Sequence, residues 1–370
     1  MRDLRILMLS RATLFSHPGG DTIQIRKTAE YLNKLQGIEV SVKTVNENID
    51  YSQFDLLHLF NVSRPADLLG VIKRSGLPYV ISTIFVDFSE AEKNHYKKWR
   101  GWLNKLLNTD QVEYIKAVAR MLQGQDKLTD KSYLFRGQRA SIKKLIKNAS
   151  LLLPNSQSEY DRLLKAYGCE QKYRVIPNAI DTKVFDRNAE IDHSFDTFNG
   201  AVVSVGQITP VKNQLNLIKA LNNSSFKLFI IGSPSSNATR YFKKCKQAAA
   251  ENITFVPYLD QKDLAKVYRK AKVHVLSSWF ETTGLVSLEA AYMGCNIVIT
   301  NRGDQSEYFG EHAFYCDPED PKSIYEAVEL AYEAEFREQF VNVIENNYTW
   351  SITAQRTREA YQAVISKIES

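Results

Sequence analysis

Two carboxylates, Glu281 and Glu289, lie eight residues apart in the segment VHVLSSWFETTGLVSLEAAYMGCNIVIT. The pattern predicts Glu281 in a polar loop and Glu289 inside a helix from Leu285 to Met293 that starts after Gly284. The start of a helix favours an anion, because its first N–H groups and its dipole point outward. Carboxylates accept hydrogen bonds from hydroxyl groups. A nucleotide sugar, which combines a diphosphate with many hydroxyls, would use both features.

The position of Glu289 on its helix leaves an alternative open. On a helical wheel it falls among Leu285, Leu288 and Tyr292, and a charge on an apolar face is costly unless it is paired. Two glutamates at this spacing also arise often by chance. On the spacing alone, a plain helix with a half-exposed glutamate is the favoured interpretation.

A second candidate is Lys212, in the run Gly206-Gln207-Ile208-Thr209-Pro210-Val211-Lys212-Asn213. A helix is predicted to follow, and a cation at its start opposes the helix dipole. The conflict is resolved if an anion binds there and pairs with the lysine. Taken alone, an exposed lysine without a role remains the better interpretation.

The elements that would position these residues are short apolar strands that alternate with polar loops and helices. This alternation predicts a doubly wound α/β fold, with ligands beyond the carboxyl ends of the strands. Ser156 is predicted to cap a helix, with Glu159 at capping-box spacing. The predicted strands are 5–9, 40–45, 55–60, 79–82, 151–154, 201–205, 226–231, 273–276 and 297–300. The residues predicted near the first group of strand ends are His58, Asn61, Thr83, Phe85 and Asp87.

The loop after the first strand carries His17-Pro18-Gly19-Gly20. Glycines at this point let the backbone approach a phosphate, but a tight turn explains them equally well. The loop is not G-x-G-x-x-G, and the acidic residue of a dinucleotide site is missing, so a nicotinamide cofactor is disfavoured.

Length and composition fit an ordinary globular protein. The 370 residues are enough for two domains, with 44% hydrophobic and 24% charged residues. The four cysteines are widely spaced without a C-x-x-C pair, which argues against disulfides and zinc and fits a reducing cytosol. The apolar run at the N-terminus is too short for a signal peptide, and no run reaches the length of a membrane span.

Charge is distributed unevenly along the chain. Residues 1–185 contain 29 basic and 19 acidic residues, and the remainder contains 19 basic and 23 acidic residues. Within the basic half, residues 93–107 (KNHYKKWRGWLNKLL) hold five basic and no acidic residues, with tryptophans at helical spacing. This segment could lie in a membrane interface or pack on its own domain, and the two remain equally supported. Nucleic-acid binding has no supporting motif.

The pattern from Glu281 to Glu289 resembles the E-x7-E signature of the family 4 retaining glycosyltransferases, which have the GT-B fold. Tyr173-Arg174-Val175-Ile176-Pro177-Asn178-Ala179-Ile180-Asp181 resembles the junction between the two domains of that family, with alanine at 179 for the usual glycine. Two further departures are Gln207, where the family has arginine, and Phe85, where it often has histidine. The resemblance is strong over 173–360 and poor over 88–147.

The resemblance implies two Rossmann-like doubly wound domains facing a central cleft, with a C-terminal helix that crosses back to the first domain. The expected organisation is an acceptor domain over 1–181 with a variable helical insertion at 88–147, a linker over 182–199, a nucleotide-sugar domain over 200–347 and the crossing helix over 348–370.

The resemblance also implies roles for individual residues. Glu281 and Lys212 are the expected catalytic residues, and no metal or other cofactor is expected. The expected donor-binding residues are Gly19, Gly20, Gly206, Gln207, Asn213, Gly232, Tyr258, Thr282, Thr283, Gly284, Leu285, Val286 and Glu289. The expected acceptor-side residues are His17, Phe85, Asp87 and His95, although a surface histidine is the favoured interpretation of His95.

The implied activity is transfer of a sugar, with retention of configuration, from a UDP- or GDP-linked donor to a glycan or lipid-linked acceptor in surface polysaccharide biosynthesis. The expected location is the cytoplasm, with peripheral contact to the inner membrane through 93–107 and no nucleic-acid partner. The alternatives are a non-catalytic protein that binds a nucleotide sugar or lipid head group, and a nucleotide-sugar epimerase of the same fold.

Overall fold

The computed structural model describes residues 3–16, 19–86, 109–122, 130–190 and 192–369. The chain forms two compact units. Unit 1 comprises Met1–Asn178 and Trp350–Ser370, and unit 2 comprises Ala179–Thr349. Among the described residues, no helix has the length and apolar character needed to cross a membrane.

Unit 1 contains a five-stranded parallel sheet in the order β2-β1-β3-β4-β5. Its central strand β3 is buried at every position, as expected for a parallel sheet covered on both faces. The strands are β1 (Leu4–Ser10), β2 (Ile38–Thr44), β3 (Leu56–Phe60), β4 (Tyr79–Ser82) and β5 (Leu151–Leu152).

Helices pack on this sheet, and the last helix of the chain belongs to the same unit. Its residues Ala360 and Tyr361 lie in one hydrophobic core with Ile6, Met8 and Ile25. The helices of unit 1 are α1 (Gly20–Leu32), α2 (Pro65–Ser75), α3 (Thr109–Leu122), α4 (Ser132–Asn148), α5 (Gln157–Tyr167) and α13 (Trp350–Glu369).

The predicted cap of α5 is confirmed, but the predicted capping box is not formed. The Ser156 hydroxyl accepts a 3.0 Å hydrogen bond from the Glu159 N–H. The Glu159 carboxylate turns away from the cap and accepts hydrogen bonds from the backbone N–H groups of Asn155 (3.0 Å) and Phe85 (2.9 Å). It therefore joins the start of α5 to the loop after β4.

Unit 2 contains a six-stranded parallel sheet in the order β11-β10-β9-β6-β7-β8. Apolar clusters cover both of its faces. The strands are β6 (Val202–Val205), β7 (Leu228–Ile231), β8 (Ile253–Val256), β9 (Val273–Leu276), β10 (Asn296–Thr300) and β11 (Ala313–Cys316). The helices are α6 (Gln214–Leu221), α7 (Thr239–Ala248), α8 (Gln261–Lys270), α9 (Leu285–Tyr292), α10 (Gln305–Phe309), α11 (Pro321–Glu333) and α12 (Gln339–Asn347). The prediction of doubly wound parallel α/β domains is confirmed.

The segment predicted as a linker, 182–199, is part of unit 2. Phe185 and Phe198 lie buried in the core of that unit beside Tyr268. The segment lacks helical or strand periodicity, yet its aromatic side chains anchor it by burying apolar surface. The first unit ends at Asn178, three residues before the predicted boundary.

Candidate functional site

The loop between β9 and α9 is shaped by Gly284. This residue precedes the first turn of α9 with φ of 65°, in the left-handed region that favours glycine. A Cβ at this position would lie 2.4 Å from Nε2 of Gln305, so the close approach also requires glycine. The loop therefore places the start of α9, with its first N–H groups, at the carboxyl end of the sheet.

The backbone of Glu281 is bound to the loop that follows β10. Its N–H donates to the carbonyl of Arg302 (3.3 Å), and its carbonyl accepts from the N–H of Asp304 (2.8 Å). Gly303 lies between these contacts with φ of 102°, and a Cβ there would lie 1.9 Å from the Glu281 carbonyl oxygen. Two neighbouring strand ends thus fix the position of Glu281.

The side chains of Lys212 and Glu281 form an ion pair, Nζ to Oε1. Lys212 ends a 3₁₀ turn, Pro210–Lys212, just before α6. The Glu281 side chain is 11% exposed and that of Lys212 is 27% exposed. The structure therefore brings together the two residues predicted to be catalytic, in a partly desolvated setting where charges interact more strongly than in water.

The turn that carries Lys212 is tied to the loop that carries Glu281. The Trp279 N–H donates to the Val211 carbonyl (2.9 Å). The side-chain amide of buried Asn213 donates to the carbonyls of Ser277 (3.0 Å) and Pro318 (2.7 Å). Asn213 was predicted to bind the donor, but the structure uses its amide nitrogen to hold the two loops together.

Glu289 is buried on the second turn of α9, so the interpretation as a half-exposed glutamate is wrong. Desolvation raises the pKa of its carboxyl from 4.5 to about 7. One hydrogen bond opposes this rise, from Nε2 of Gln261 to Oε1 of Glu289 at 3.1 Å. The described residues supply no ion pair to this carboxylate, so it is a buried acceptor with unused capacity.

The remaining predicted donor residues of this loop lie around the start of α9. Thr283 is buried, with its Oγ1 3.3 Å from the hydroxyl of Tyr308. Thr282, Leu285 and Val286 are partly exposed. The N–H groups of Leu285 and Val286 precede the first repeating hydrogen bonds of the helix, whereas the Ser287 N–H donates to the Gly284 carbonyl at 2.8 Å. These residues are therefore placed to present backbone donors to an anion.

The loops after β6 and β7 approach each other closely. Gly206 and Gly232 have φ of 147° and 143°, and a Cβ at Gly232 would lie 2.1 Å from the Gly206 carbonyl oxygen. The Ile208 N–H donates to the Ser233 carbonyl at 3.0 Å. Gln207 is exposed on this edge. Tyr258, on the loop after β8, is 72% exposed.

In unit 1, the glycine loop leads directly into α1. Gly19 is the N-cap, and its N–H donates to the Thr22 hydroxyl at 3.1 Å. Asp21 in the first turn pairs with Arg11, at 2.8 Å from Oδ2 to Nε. A carboxylate thus already complements the dipole at this helix start. Gly20 begins the helix, with open space where a Cβ would stand.

Of the four expected acceptor-side residues, Phe85 alone lies within the described part of the chain. Phe85 is buried, with its ring edge-on to Tyr167 at 5.7 Å between centroids, so its side chain belongs to the core. His17, Asp87 and His95, like the segment 93–107, lie outside the described residues. The proximity of Phe85 to a strand end was predicted correctly, but its side chain points into the hydrophobic cluster because that buries a large apolar ring.

His58 is also a core residue, although the sequence placed it near a strand end. It lies within β3, 2% exposed, and its ring nitrogens contact Tyr361 Oη (2.6 Å) and Ser82 Oγ (2.9 Å). Burial lowers the pKa of its imidazole from 6.5 to about 3, so the ring is neutral. These contacts connect β3 and β4 to α13.

The sequence did not predict two side-chain contacts, that of Gln261 with Glu289 on α9 and that of Glu159 with the loop after β4. Gln261 follows Asp260, the N-cap of α8, whose side chain accepts from the Asp263 N–H at 2.9 Å. The capping pattern marks the start of α8, but only the packing of α8 beside α9 shows that Gln261 reaches Glu289. Glu159 was recognised as part of a cap, whereas its contact with the β4 loop depends on the folded sheet.

The chain is similar to known glycosyltransferases in sequence and in fold. Residues 189–350 match the family model of glycosyl transferases group 1. The chain is 26% identical over 244 residues to a D-inositol 3-phosphate glycosyltransferase of Pseudarthrobacter chlorophenolicus, covering 60% of this chain and 58% of that protein. It is 27% identical over 214 residues to an uncharacterized glycosyltransferase of Methanocaldococcus jannaschii, covering 52% and 54%. The chain thus spans less than two thirds of the length of these relatives.

Two solved structures have a similar fold along nearly the whole chain. Sucrose-phosphate synthase from Thermosynechococcus elongatus gives a TM-score of 0.74 at 15% identity, covering 98% of this chain and 100% of that one. HepE of Anabaena, in complex with UDP-glucose, gives 0.70 at 15% identity, covering 97% and 100%. Residues 189–350 are thus similar to the group 1 glycosyltransferases, and the shared architecture shows that the chain has the GT-B fold.

Proposed function

We propose that this protein transfers a sugar, with retention of configuration, from a UDP- or GDP-linked donor to a glycan or lipid-linked acceptor. The names of the curated relatives support sugar transfer, and the HepE complexes with UDP and UDP-glucose support a nucleotide-sugar donor. The observation that carries the proposal is the Lys212–Glu281 ion pair at the start of α9, with buried Glu289 eight residues further on.

Each group in this arrangement suits one part of a nucleotide sugar. Glu289 would accept hydrogen bonds from the ribose hydroxyls, and Glu281 would accept them from the transferred sugar. The Lys212 ammonium has three donors, so it can bond Glu281 and a diphosphate oxygen together. The N–H groups at the start of α9 would bind the same diphosphate.

Sugar transfer of this kind passes through a transition state with positive charge on the sugar and growing negative charge on the departing diphosphate. Lys212 and the helix start would stabilise that negative charge, and we propose that they do so without a metal. Glu281 would fix the orientation of the sugar, which lowers the entropic part of the barrier. No side chain is assigned as a nucleophile.

The proposed acceptor is a surface glycan carried on a lipid, with the enzyme in the cytoplasm and in peripheral contact with the inner membrane. The excess of basic residues in the first 185 positions supports an anionic acceptor or surface. Co-sedimentation with anionic and neutral liposomes tests the membrane contact. Absence from the anionic pellet would remove that part of the proposal.

A thermal-shift panel of UDP, GDP, ADP, CMP and their sugars tests donor binding, because a bound ligand stabilises in proportion to RT ln(1 + [L]/Kd). We expect one base to raise the Tm of wild type and not that of Glu289→Ala. Release of free nucleoside diphosphate only when an acceptor is present would establish transfer. Release without acceptor would favour an epimerase, and binding without release would favour a non-catalytic protein.

A further inference from the structure

The amide of Gln261 is the one hydrogen-bond donor among the described residues that contacts the Glu289 carboxylate. Nε2 of Gln261 lies 3.1 Å from Oε1 of Glu289, and no hydrogen bond to Oε2 is formed within the described residues. A buried carboxylate with one engaged oxygen has a fixed orientation and still offers acceptor sites on the other oxygen.

The backbone of Gln261 is itself held in place. It is the first residue of α8, directly after the N-cap Asp260, whose carboxylate accepts from the Asp263 N–H. The loop before this cap carries Tyr258. Gln261 therefore links the loop that ends β8 to the carboxylate on α9.

We propose that Gln261 is a positioning residue for the donor: its amide holds the Glu289 carboxylate so that the second oxygen faces the ribose hydroxyls. This inference rests on the proposed function and adds to it a coupling between the β8 loop and the ribose site. Gln261 itself need not touch the donor. Its effect should appear in the charge state and orientation of Glu289.

Apart from burial, the hydrogen bond from Gln261 is the main interaction that shifts the pKa of the Glu289 carboxyl. The buried titratable groups on elements packed against α9 are Tyr268 of α8 and His274 of β9, while α12 carries Glu345 and β10 carries none. The remaining charged residues of α8 are Lys262, Asp263, Lys266, Arg269 and Lys270, of which Lys266 and Lys270 pair with other carboxylates. Burial raises the pKa of Tyr268 well above 10 and lowers that of His274 to about 3, so both are neutral near pH 7. Glu345 accepts a 3.1 Å hydrogen bond from the hydroxyl of Tyr292.

Removing the amide should therefore change how nucleotide affinity depends on pH. The charged Glu289 is the better acceptor for ribose hydroxyls, and its amide bond favours the charged form. In Gln261→Leu, the pH at which UDP affinity rises should be about 1 pH unit higher than in wild type. UDP should therefore bind this variant about eightfold more weakly than wild type at pH 6.5, and nearly equally at pH 9. In Gln261→Lys a cation replaces the amide, so the same rise should move to lower pH, with about threefold tighter binding at pH 6.5.

Isothermal titration calorimetry with UDP from pH 6 to pH 9 measures these shifts. Glu289→Gln serves as the control, because its remaining pH dependence reports the titration of the UDP phosphate alone. UDP lacking both ribose hydroxyls should bind wild type and Gln261→Leu equally at every pH.

Opposite shifts in the leucine and lysine variants would support the positioning role. A loss of affinity by the same factor at every pH in both variants would show a merely structural residue and overturn the inference, while leaving the proposed donor site intact. If wild type binds none of UDP, GDP and ADP at any pH, both the inference and the proposed function fall.

Discussion

Lys212 and Glu281, separated by 69 positions in the sequence, form an ion pair across the carboxyl edge of the second sheet. Their loops are joined by the backbone hydrogen bond from Trp279 to Val211 and by the side chain of Asn213. The pair is therefore a built feature of the fold, with both backbones held before any ligand arrives. Preorganised charge of this kind is what stabilises a developing anion most effectively.

Replacement of Lys212 by alanine should chiefly lower kcat, on the order of 10²- to 10³-fold, because it removes stabilisation of the departing diphosphate. Lys219→Ala is the matched control, since Lys219 is an exposed lysine in the last turn of α6. Steady-state kinetics with the donor found in the thermal-shift panel measures both variants. An unchanged kcat in Lys212→Ala would remove this residue from the mechanism.

The buried Glu289 should make stability depend on pH. Its folded pKa of about 7 lies above the unfolded value of 4.5, so the folded state binds more protons between these values. The free energy of unfolding should therefore fall as pH rises from 4.5 to 7, by about 3 kcal/mol from this group. Urea denaturation at pH 5 and pH 8 should show a smaller fall for Glu289→Gln than for wild type. In Glu333→Gln, which replaces an exposed residue, the free energy of unfolding should fall as much as in wild type. Equal falls in wild type and both variants would contradict the prediction.

Gly303→Ala should destabilise unit 2 and displace Glu281. A Cβ at Gly303 would lie 1.9 Å from the Glu281 carbonyl oxygen, so the loop must move. Gly294→Ala is the matched control, because Gly294 has the same φ of 102° but open space around a Cβ. Both variants carry backbone strain of about 1–3 kcal/mol, and only Gly303→Ala adds the clash. Equal losses of unfolding free energy, with equal activity, would show that the contact with Glu281 is unimportant.

Phe85→Leu should lower stability by about 1–2 kcal/mol and leave kcat/KM unchanged, because the ring packs against Tyr167 inside unit 1. Phe85→His should be more destabilising, since a buried imidazole needs hydrogen-bond partners. Denaturation curves and kinetics with saturating donor and varied acceptor separate the two effects. A specific rise in the KM for the acceptor in Phe85→Leu would restore an acceptor-side role.

The fold class was predictable because its signals are local. Strand β9 reads as a short apolar run, α9 starts after a glycine and Ser156 caps α5, and each of these features depends on residues within one or two turns. Glu289 could be placed on an apolar helix face by periodicity alone. The sequence does not show which elements cover that face. Only the packing of α8 and α12 on α9 shows that Glu289 is buried and not half-exposed.

The sequence by itself determined the alternation of strands and helices, the E-x7-E spacing and the glycines that shape the strand ends, because these follow from periodicity and backbone conformation. Only the tertiary structure decided that Lys212 meets Glu281, that Gln261 reaches Glu289, that Phe85 and His58 face the core, and that 182–199 packs into unit 2. The physical reason is that these contacts join segments far apart in the chain. They depend on strand order and on which side chains bury the most apolar surface, and neither is encoded in a local pattern.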